Sequence, residues 1–169
     1  ITENDPVRRE LELGYFVFQI NLSATAYAQL KHHRLSSQYK QDYLPELGIT
    51  VPSSIKKANS LDIFEKAIDC SNELYHKLSD KLGSDKKRIA QYILTNSHKC
   101  RVIIQMNSRE LTHFSRLRMD KLAQWDIRNI AGKMIELARN ECPELVQFAG
   151  GKDEFSEIQS NLIEKTESN

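Results

Sequence analysis

Two short stretches in which apolar side chains recur at every second position set the main limit on how this chain folds. One spans residues 15–22 and the other residues 98–106, and a period of two with aromatic and β-branched residues is typical of a half-buried strand. The side chains on the apolar faces are Phe16, Phe18, Ile20 and Leu22 in the first stretch, and Cys100, Val102, Ile104 and Met106 in the second. The sequence therefore predicts two strands in a small sheet.

Helical spacing dominates the rest of the chain. Apolar residues at intervals of three and four predict helices over residues 24–34, 61–82, 86–94, 108–118 and 122–140, and an amphipathic helix in the tail 152–169. The expected inner faces carry Ile63, Ala67, Leu74 and Leu78 in the 61–82 helix, and Ala123, Ile127, Ile130, Ala131, Met134 and Ala138 in the 122–140 helix. The predicted fold class is α+β, mostly helical with a small antiparallel sheet.

One region breaks this periodicity. Residues 35–60 contain Pro45, Gly48 and Pro52, which favour turns over regular structure. We therefore expect a long loop here, and a loop of this length in a compact domain is more often functional than not.

Composition limits the functional class. The chain has 169 residues, about one domain, and its net charge of +1 from 24 basic and 23 acidic side chains argues against a dedicated nucleic-acid binder. Its apolar runs are only a few residues long, so we expect no transmembrane helix. Cys70, Cys100 and Cys142 are odd in number and far apart, which predicts buried free thiols in a reducing cytoplasm.

The cluster His32-His33-Arg34 is the densest group of polar donors, and we place it at the end of the 24–34 helix. Adjacent helical residues do not share a face, so the two histidines make a poor metal pair, and we predict no metal site. Two interpretations stay open from the residues alone. The cluster is either a donor site for a phosphate or an electron-rich ring, or a solvated helix end whose cations suit the helix dipole.

The 107–118 segment carries an arginine on its apolar side. Leu111, Phe114 and Leu117 form that side, and Arg118 projects between Leu111 and Phe114. Arg109, His113 and Arg116 are expected on the opposite side. A cation in an apolar stripe is costly without an acidic partner, so Arg118 predicts either a structural ion pair or an anion-binding site.

Two separated blocks resemble the flavin-dependent thymidylate synthase family. In the first, Gln29 precedes a stretch in which His32, His33, Arg34 and Ser37 stand where the family has Arg-His-Arg-x-x-Ser. The second block, residues 107–118 followed by 123–128, is similar to Asn-Ala-Arg-x-Leu-x-His-Phe-x-x-x-Arg and then Ala-Gln-x-Glu-Ile-Arg. The resemblance covers about residues 10–148.

The resemblance implies an α+β fold of this family and an enzyme that methylates dUMP to dTMP reductively. It implies FAD as cofactor, with methylenetetrahydrofolate and NADPH as co-substrates, and a homo-oligomer, dimer or tetramer. The residues that it assigns to the flavin are His32, His33, Arg34, Asn107, Arg109 and His113, and those that it assigns to the nucleotide are Gln29, Ser37 and Arg118.

The departures from the family pattern leave a second interpretation open. The serine and arginine that hold the nucleotide phosphate in the family are missing after Ser37, and Gln91 stands where the family has an arginine. Lys40 is a candidate replacement. The chain is thus either an active enzyme or an inactive homologue, the latter including a second tandem domain that serves as a scaffold. We expect a domain over residues 1–148, short of the family's N-terminal part with Asp5-Pro6 as a remnant, and a polar tail over 149–169.

Overall fold

The computed structural model of the chain describes residues 9–83 and 87–167. The strands are β1 (Tyr15–Ser23), β2 (Ser37–Tyr43) and β3 (Lys99–Asn107). The α-helices are α1 (Ala24–Leu30), α2 (Ser53–Lys57), α3 (Leu61–Leu82), α4 (Lys87–Ala90), α5 (Ser108–Arg118), α6 (Trp125–Glu141) and α7 (Phe155–Glu167). Short 3-10 turns lie at Arg9–Glu12, Pro45–Leu47, Gln91–Ile93, Pro143–Val146 and Lys152–Glu154.

The sheet has the strand order β1-β3-β2, and β1 and β3 run antiparallel. The N–H of Ala24 donates to the His98 carbonyl at 3.1 Å, and at the other end the N–H of Ser108 donates to the Gly14 carbonyl at 2.8 Å. Burial alternates along both strands as their sequence pattern predicts. The two predicted strands and the α+β class are therefore confirmed.

The third strand, β2, lies where we expected a loop. Its inward positions are Gln38, Lys40 and Asp42, and its outward positions include the exposed Tyr39. Burial alternates along β2, as it does along the other strands. Because polar side chains occupy the inward positions, the sequence lacks the apolar residues at every second position by which a strand is predicted. The expectation of an irregular segment over residues 35–60 was wrong for β2 and for α2.

The helix predicted over residues 24–34 ends at Leu30. The N–H of His33 bonds to the Leu30 carbonyl at 3.1 Å, three residues back, which is a turn rather than a helical step. The cluster His32-His33-Arg34 therefore stands in a turn, and only His33 is buried. The placement of these residues on a helix end was wrong.

Helix α3 confirms its predicted limits, with Gly83 at φ +69° as its stop, but its inner face was predicted wrongly. Ile63 is 73% exposed and Leu74 42%, and Ala67 is also exposed, while Ile68, Ser71 and Ser79 are buried. Two hydrogen bonds lie on the buried side of the helix. The Ser71 hydroxyl donates to the Ile93 carbonyl at 2.9 Å, and Asn72 Oδ1 lies 2.8 Å from His98 Nε2.

The remaining helices differ from the prediction mainly at their ends. Helix α5 has the predicted limits, but Leu117 is 37% exposed instead of buried. Helix α6 begins three residues late, at Trp125, because Gln124 Oε1 accepts hydrogen bonds from the N–H groups of Asp126 and Ile127. The 86–94 helix is shortened to α4 and a 3-10 turn; its expected start at residue 86 and the expected remnant Asp5-Pro6 lie outside the described residues.

The chain divides into two compact units. The described residues of the first are 9–18, 29–38 and 103–167, with a core that includes Ile104, Leu111, Phe114, Ile127 and Ile135. Those of the second are 19–28, 39–83 and 87–102, with a core that includes Leu22, Ala26, Ile68, Cys100 and Val102.

Two expectations from composition have clear outcomes. No helix in residues 9–83 and 87–167 combines the length and apolarity that a membrane span requires. The three cysteines are free, but only Cys100 is buried, whereas Cys70 is exposed on α3 and Cys142 is half-buried. The expectation of three buried thiols was therefore wrong for the latter two.

Candidate functional site

Helix α5 follows directly after β3 in the first unit, and Asn107, the last residue of β3, caps its start. Asn107 has extended backbone angles, and its Oδ1 accepts a hydrogen bond from the Glu110 N–H at 2.8 Å, which is an ordinary N-cap. The Ser108 N–H bonds to the Gly14 carbonyl. The cap and this backbone bond orient the helix that carries most of the polar residues of the second sequence block.

Arg118, in the last turn of α5, gathers the residues of the first sequence block. Its Nη1 donates to Gln29 Oε1 at 2.9 Å and its Nη2 to the Gln29 carbonyl at 3.1 Å. Its Nε donates to His33 Nε2 at 3.1 Å. These contacts unite three of the residues that the sequence assigned to a site.

A carboxylate completes the cluster on the far side of the imidazole. His33 Nδ1 lies 3.1 Å from Glu110 Oε1, and the two side chains are only 4% and 5% exposed. Phe114 presents its ring edge to His33 with 4.9 Å between centroids. The ring of His33 is thus held at both nitrogens and against an aromatic neighbour.

Hydrogen-bond chemistry assigns the hydrogen of this ring. An arginine Nε can only donate, so His33 Nε2 must offer its lone pair. A neutral imidazole then carries its hydrogen on Nδ1, which donates to the Glu110 carboxylate. The arrangement is a chain of carboxylate, neutral imidazole and guanidinium.

The guanidinium of Arg118 keeps capacity for a ligand. Among the described residues, three of its five N–H groups bond to Gln29 and His33, which leaves two. Burial lowers the pKa of Arg118, because part of the charge has been taken out of water. Within the described residues Arg118 has no direct carboxylate partner, so the predicted structural ion pair is not the arrangement found.

The backbone around His33 is fixed by two residues that the sequence analysis did not single out. The Ser36 hydroxyl donates to the His33 carbonyl at 2.6 Å. The Gln38 side-chain amide donates to the carbonyls of His33 and Leu30, both at 3.3 Å. Polar residues are common after turns, so no sequence pattern marks Ser36 and Gln38 for this role.

The other expected flavin residues lie nearer the surface of the first unit. Arg109, half-buried, bonds to the Glu12 carboxylate, and His113 is exposed with its ring centroid 6.2 Å from that of His33. His32, Arg34 and the expected nucleotide residue Ser37 are exposed. Arg116 differs from expectation, because its guanidinium lies 5.2 Å from the centre of the Phe155 ring and its Nε and Nη2 are buried.

Glu110 belongs to the cluster around His33, although the sequence analysis did not single it out. In helical projection it lies between Phe114 and Leu117, on the side that also carries Arg118. An acid and a base in one apolar stripe were the available signal.

The second unit contains a cavity of about 430 Å³, lined in part by Lys40, Tyr43, Gln91 and Thr95. The Lys40 ammonium lies 4.1 Å from the centre of the Tyr43 ring and 5.6 Å from that of Tyr27. Burial raises the pKa of both phenols and of the Cys100 thiol, so all three stay neutral near neutral pH. Lys40 forms no ion pair in the part of the chain that the structure describes.

Comparisons with known proteins agree with this pairing of sequence blocks. The profile of a family described as thymidylate synthase complementing protein matches residues 5–144. The flavin-dependent thymidylate synthases of Geobacter sulfurreducens and Sulfurisphaera tokodaii are 33% and 34% identical to the chain over 148 and 151 residues, which is 83% of this chain in each case. That of Pyrococcus furiosus is 36% identical over 150 residues, 82% of this chain. The chain spans 63%, 56% and 61% of the length of these three relatives.

Proposed function

Because the chain belongs to the thymidylate synthase complementing protein family, we propose that it acts as a flavin-dependent thymidylate synthase. The proposed reaction is the reductive methylation of dUMP to dTMP, with methylenetetrahydrofolate as carbon donor and NADPH as the source of electrons. The observation that carries this proposal is the cluster of Gln29, His33 and Arg118, since both motif blocks meet there.

We propose that the nucleotide is recognised by Gln29, Ser37 and Arg118. The two N–H groups left on Arg118 suit an acceptor such as a pyrimidine carbonyl oxygen. Because the guanidinium is partly desolvated and has no direct carboxylate partner among the described residues, a hydrogen bond from it is stronger than one in water. Such a donor can polarise the base and hold it in one orientation.

The proposed flavin residues fit FAD by the chemistry of their donors. Arg34, Arg109, His32 and His113 offer cationic or N–H groups for a diphosphate and for ring carbonyls, and all four reach solvent. Asn107 already uses its side-chain oxygen as the cap of α5, and His33 has both ring nitrogens engaged. A flavin contact from His33 would therefore use the face or edge of the ring. When bound, reduced flavin supplies the hydride that completes the methyl group.

We also propose that the protein works as a homo-oligomer, or with a tandem partner domain, in the cytoplasm. The alternative is an inactive homologue that acts as a scaffold. It rests on the absence, after Ser37, of the serine and arginine that hold the nucleotide phosphate in the family. An activity measurement distinguishes the two. Lys40 is the proposed replacement ligand.

Flavin binding tests the proposal directly. FAD is titrated into the full chain and into Arg109→Ala, with Arg88→Ala as a matched control, since Arg88 is an exposed arginine paired with Asp42. We expect saturable binding that weakens in Arg109→Ala alone. Release of tritium from labelled dUMP in the presence of the folate and reductant then distinguishes enzyme from scaffold. Absence of flavin binding at any practical concentration contradicts the proposal.

A further inference from the structure

Glu110 is a buried carboxylate in the cluster around His33. It is the third residue of α5, where a glutamate side chain often bonds back to the N-cap. Here Oε1 instead lies 3.1 Å from His33 Nδ1, and the residue is 5% exposed. A buried carboxylate costs free energy unless it is hydrogen-bonded and its charge is balanced, so this contact calls for an explanation.

The balancing charge is one imidazole away. Glu110 and Arg118 do not touch, but each bonds to one nitrogen of His33. The carboxylate favours a hydrogen on Nδ1, and that hydrogen leaves Nε2 as an acceptor for the arginine. If the hydrogen were on Nε2, it would point at the Nε–H of Arg118 and the two donors would repel.

We propose that Glu110 is a positioning residue that acts through His33 to orient Arg118 toward the nucleotide. The ring fixes the Nε edge of the guanidinium, and Gln29 fixes the other edge through two bonds. The two N–H groups that remain are thereby given a direction. The nature of the ligand, a uracil nucleotide, rests on the proposed function, whereas the control of the imidazole by Glu110 does not.

Nuclear magnetic resonance of the full chain labelled with ¹⁵N-histidine tests the first step. We expect His33 to show a hydrogen on Nδ1 and a bare Nε2. In Glu110→Gln, which keeps the shape and removes the charge, the Nδ1–H resonance should move upfield, because a charge-assisted bond is replaced by a neutral one. Glu136→Gln, on the exposed surface of α6, is the matched control and should leave the His33 signals unchanged.

Calorimetric titration with dUMP tests the second step. We expect Glu110→Gln to weaken binding by about tenfold, with the thermal unfolding curve showing that the variant is folded. In a His33→Leu background the same substitution should add no further loss, because residues that act as a unit are not additive.

The outcomes separate the two proposals. A hydrogen on His33 Nε2 in the unmodified protein, or unchanged Nδ1–H resonance and dUMP affinity in Glu110→Gln, overturns the role of Glu110. Absence of dUMP binding in the unmodified protein, together with the expected resonances, instead overturns the nucleotide and leaves the control of His33 by Glu110 supported.

Discussion

The two buried histidines, one in each unit, carry their ring hydrogens on opposite nitrogens. His33 donates from Nδ1 to a carboxylate and accepts at Nε2 from a guanidinium. His98 accepts at Nδ1 from the Thr95 N–H at 3.0 Å, so its hydrogen is on Nε2, which donates to Asn72 Oδ1 at 2.8 Å. Both rings are satisfied, but only His33 has charged partners.

This difference separates a structural histidine from one in a site. His98 joins a turn to α3 through neutral groups, and burial lowers its pKa. The network of His33 ends at Arg118, whose remaining N–H groups are open to a ligand. Hydrogen bonding alone therefore does not distinguish the two histidines, whereas the charged partners of His33 do.

The sharpest test of this contrast is Arg118→Met. The change removes the cation and leaves His33 Nε2 and Gln29 Oε1 without their donor. We expect affinity for dUMP to fall by about 30-fold or more, equivalent to about 2 kcal/mol. Isothermal titration measures it, with the exposed Arg88→Met as control. Equal affinities in both variants would place the nucleotide elsewhere.

The converse test is His98→Met. It leaves the Thr95 N–H and Asn72 without a buried partner, so we expect the free energy of unfolding to fall by about 2 kcal/mol. Affinity for dUMP per folded molecule should be unchanged. Urea unfolding and titration measure the two quantities, and the exposed His76→Met is the control. A loss of dUMP affinity without a loss of stability would show that His98 contributes to binding and not to the fold.

Lys40, in the second unit, tests whether a residue outside the His33 network also contributes to nucleotide binding. If it holds the phosphate, Lys40→Met should weaken dUMP binding by about tenfold but leave binding of deoxyuridine, which lacks the phosphate, unchanged. Loss of its contact with the Tyr43 ring should cost only about 0.5–1 kcal/mol of stability. Lys77→Met, on an exposed lysine, is the matched control. Parallel losses for both ligands would exclude a phosphate role.

Glu12→Gln tests whether a cation held at the surface behaves like Arg118. The Glu12 and Arg109 side chains are each 36% exposed, so their pair contributes little to stability. Freed from Glu12, Arg109 should bind FAD more tightly, by about threefold at low salt. Fluorescence titration of FAD measures it beside Glu136→Gln. Weaker binding would mean that Glu12 positions Arg109 instead of competing for it.

The smallest expected effect is in pH dependence. The folded-state pKa of His98 is lowered below its ordinary value of 6.5, so the unfolded chain takes up the proton first as pH falls. Its contribution to stability is present above pH 6.5 and is lost as pH falls toward the folded-state pKa. His98→Met should therefore flatten the acid limb of unfolding free energy against pH, and His76→Met should not.

Sequence periodicity predicts this fold well where the buried side chains are apolar. The alternation of β1 and β3 follows from apolar side chains that leave water for one face, as does the helical spacing of α5. The end of α3 follows from Gly83, its stop. Strand β2 could not be found this way, since Gln38, Lys40 and Asp42 fill its inner positions. The inner face of α3 was predicted wrongly for a related reason, because polar side chains lie on it while Ile63 and Leu74 are exposed. There the Ser71 hydroxyl donates a hydrogen bond, and Asn72 Oδ1 accepts one from His98 Nε2.

The candidate site was predictable in part. The resemblance to the family assigned Gln29, His33 and Arg118 to a site, and in the structure these three residues form one hydrogen-bonded cluster. The direction of Arg109 toward Glu12 could not be read from the sequence, because the two are 97 residues apart. Among the site residues that the sequence analysis did not single out, Glu110 had a usable signal, as an acid in the same apolar stripe as Arg118.

The separation along the chain of the residues around Arg118 has a consequence for folding kinetics. His33 is 77 residues from Glu110 and 85 from Arg118, and Gln29 is 89 from Arg118. Closing loops of this length costs entropy before the cluster returns any interaction energy, so such contacts form slowly and late. During refolding, nucleotide binding should thus appear later than helix formation. A fragment that contains only one of the two sequence blocks should not bind the nucleotide.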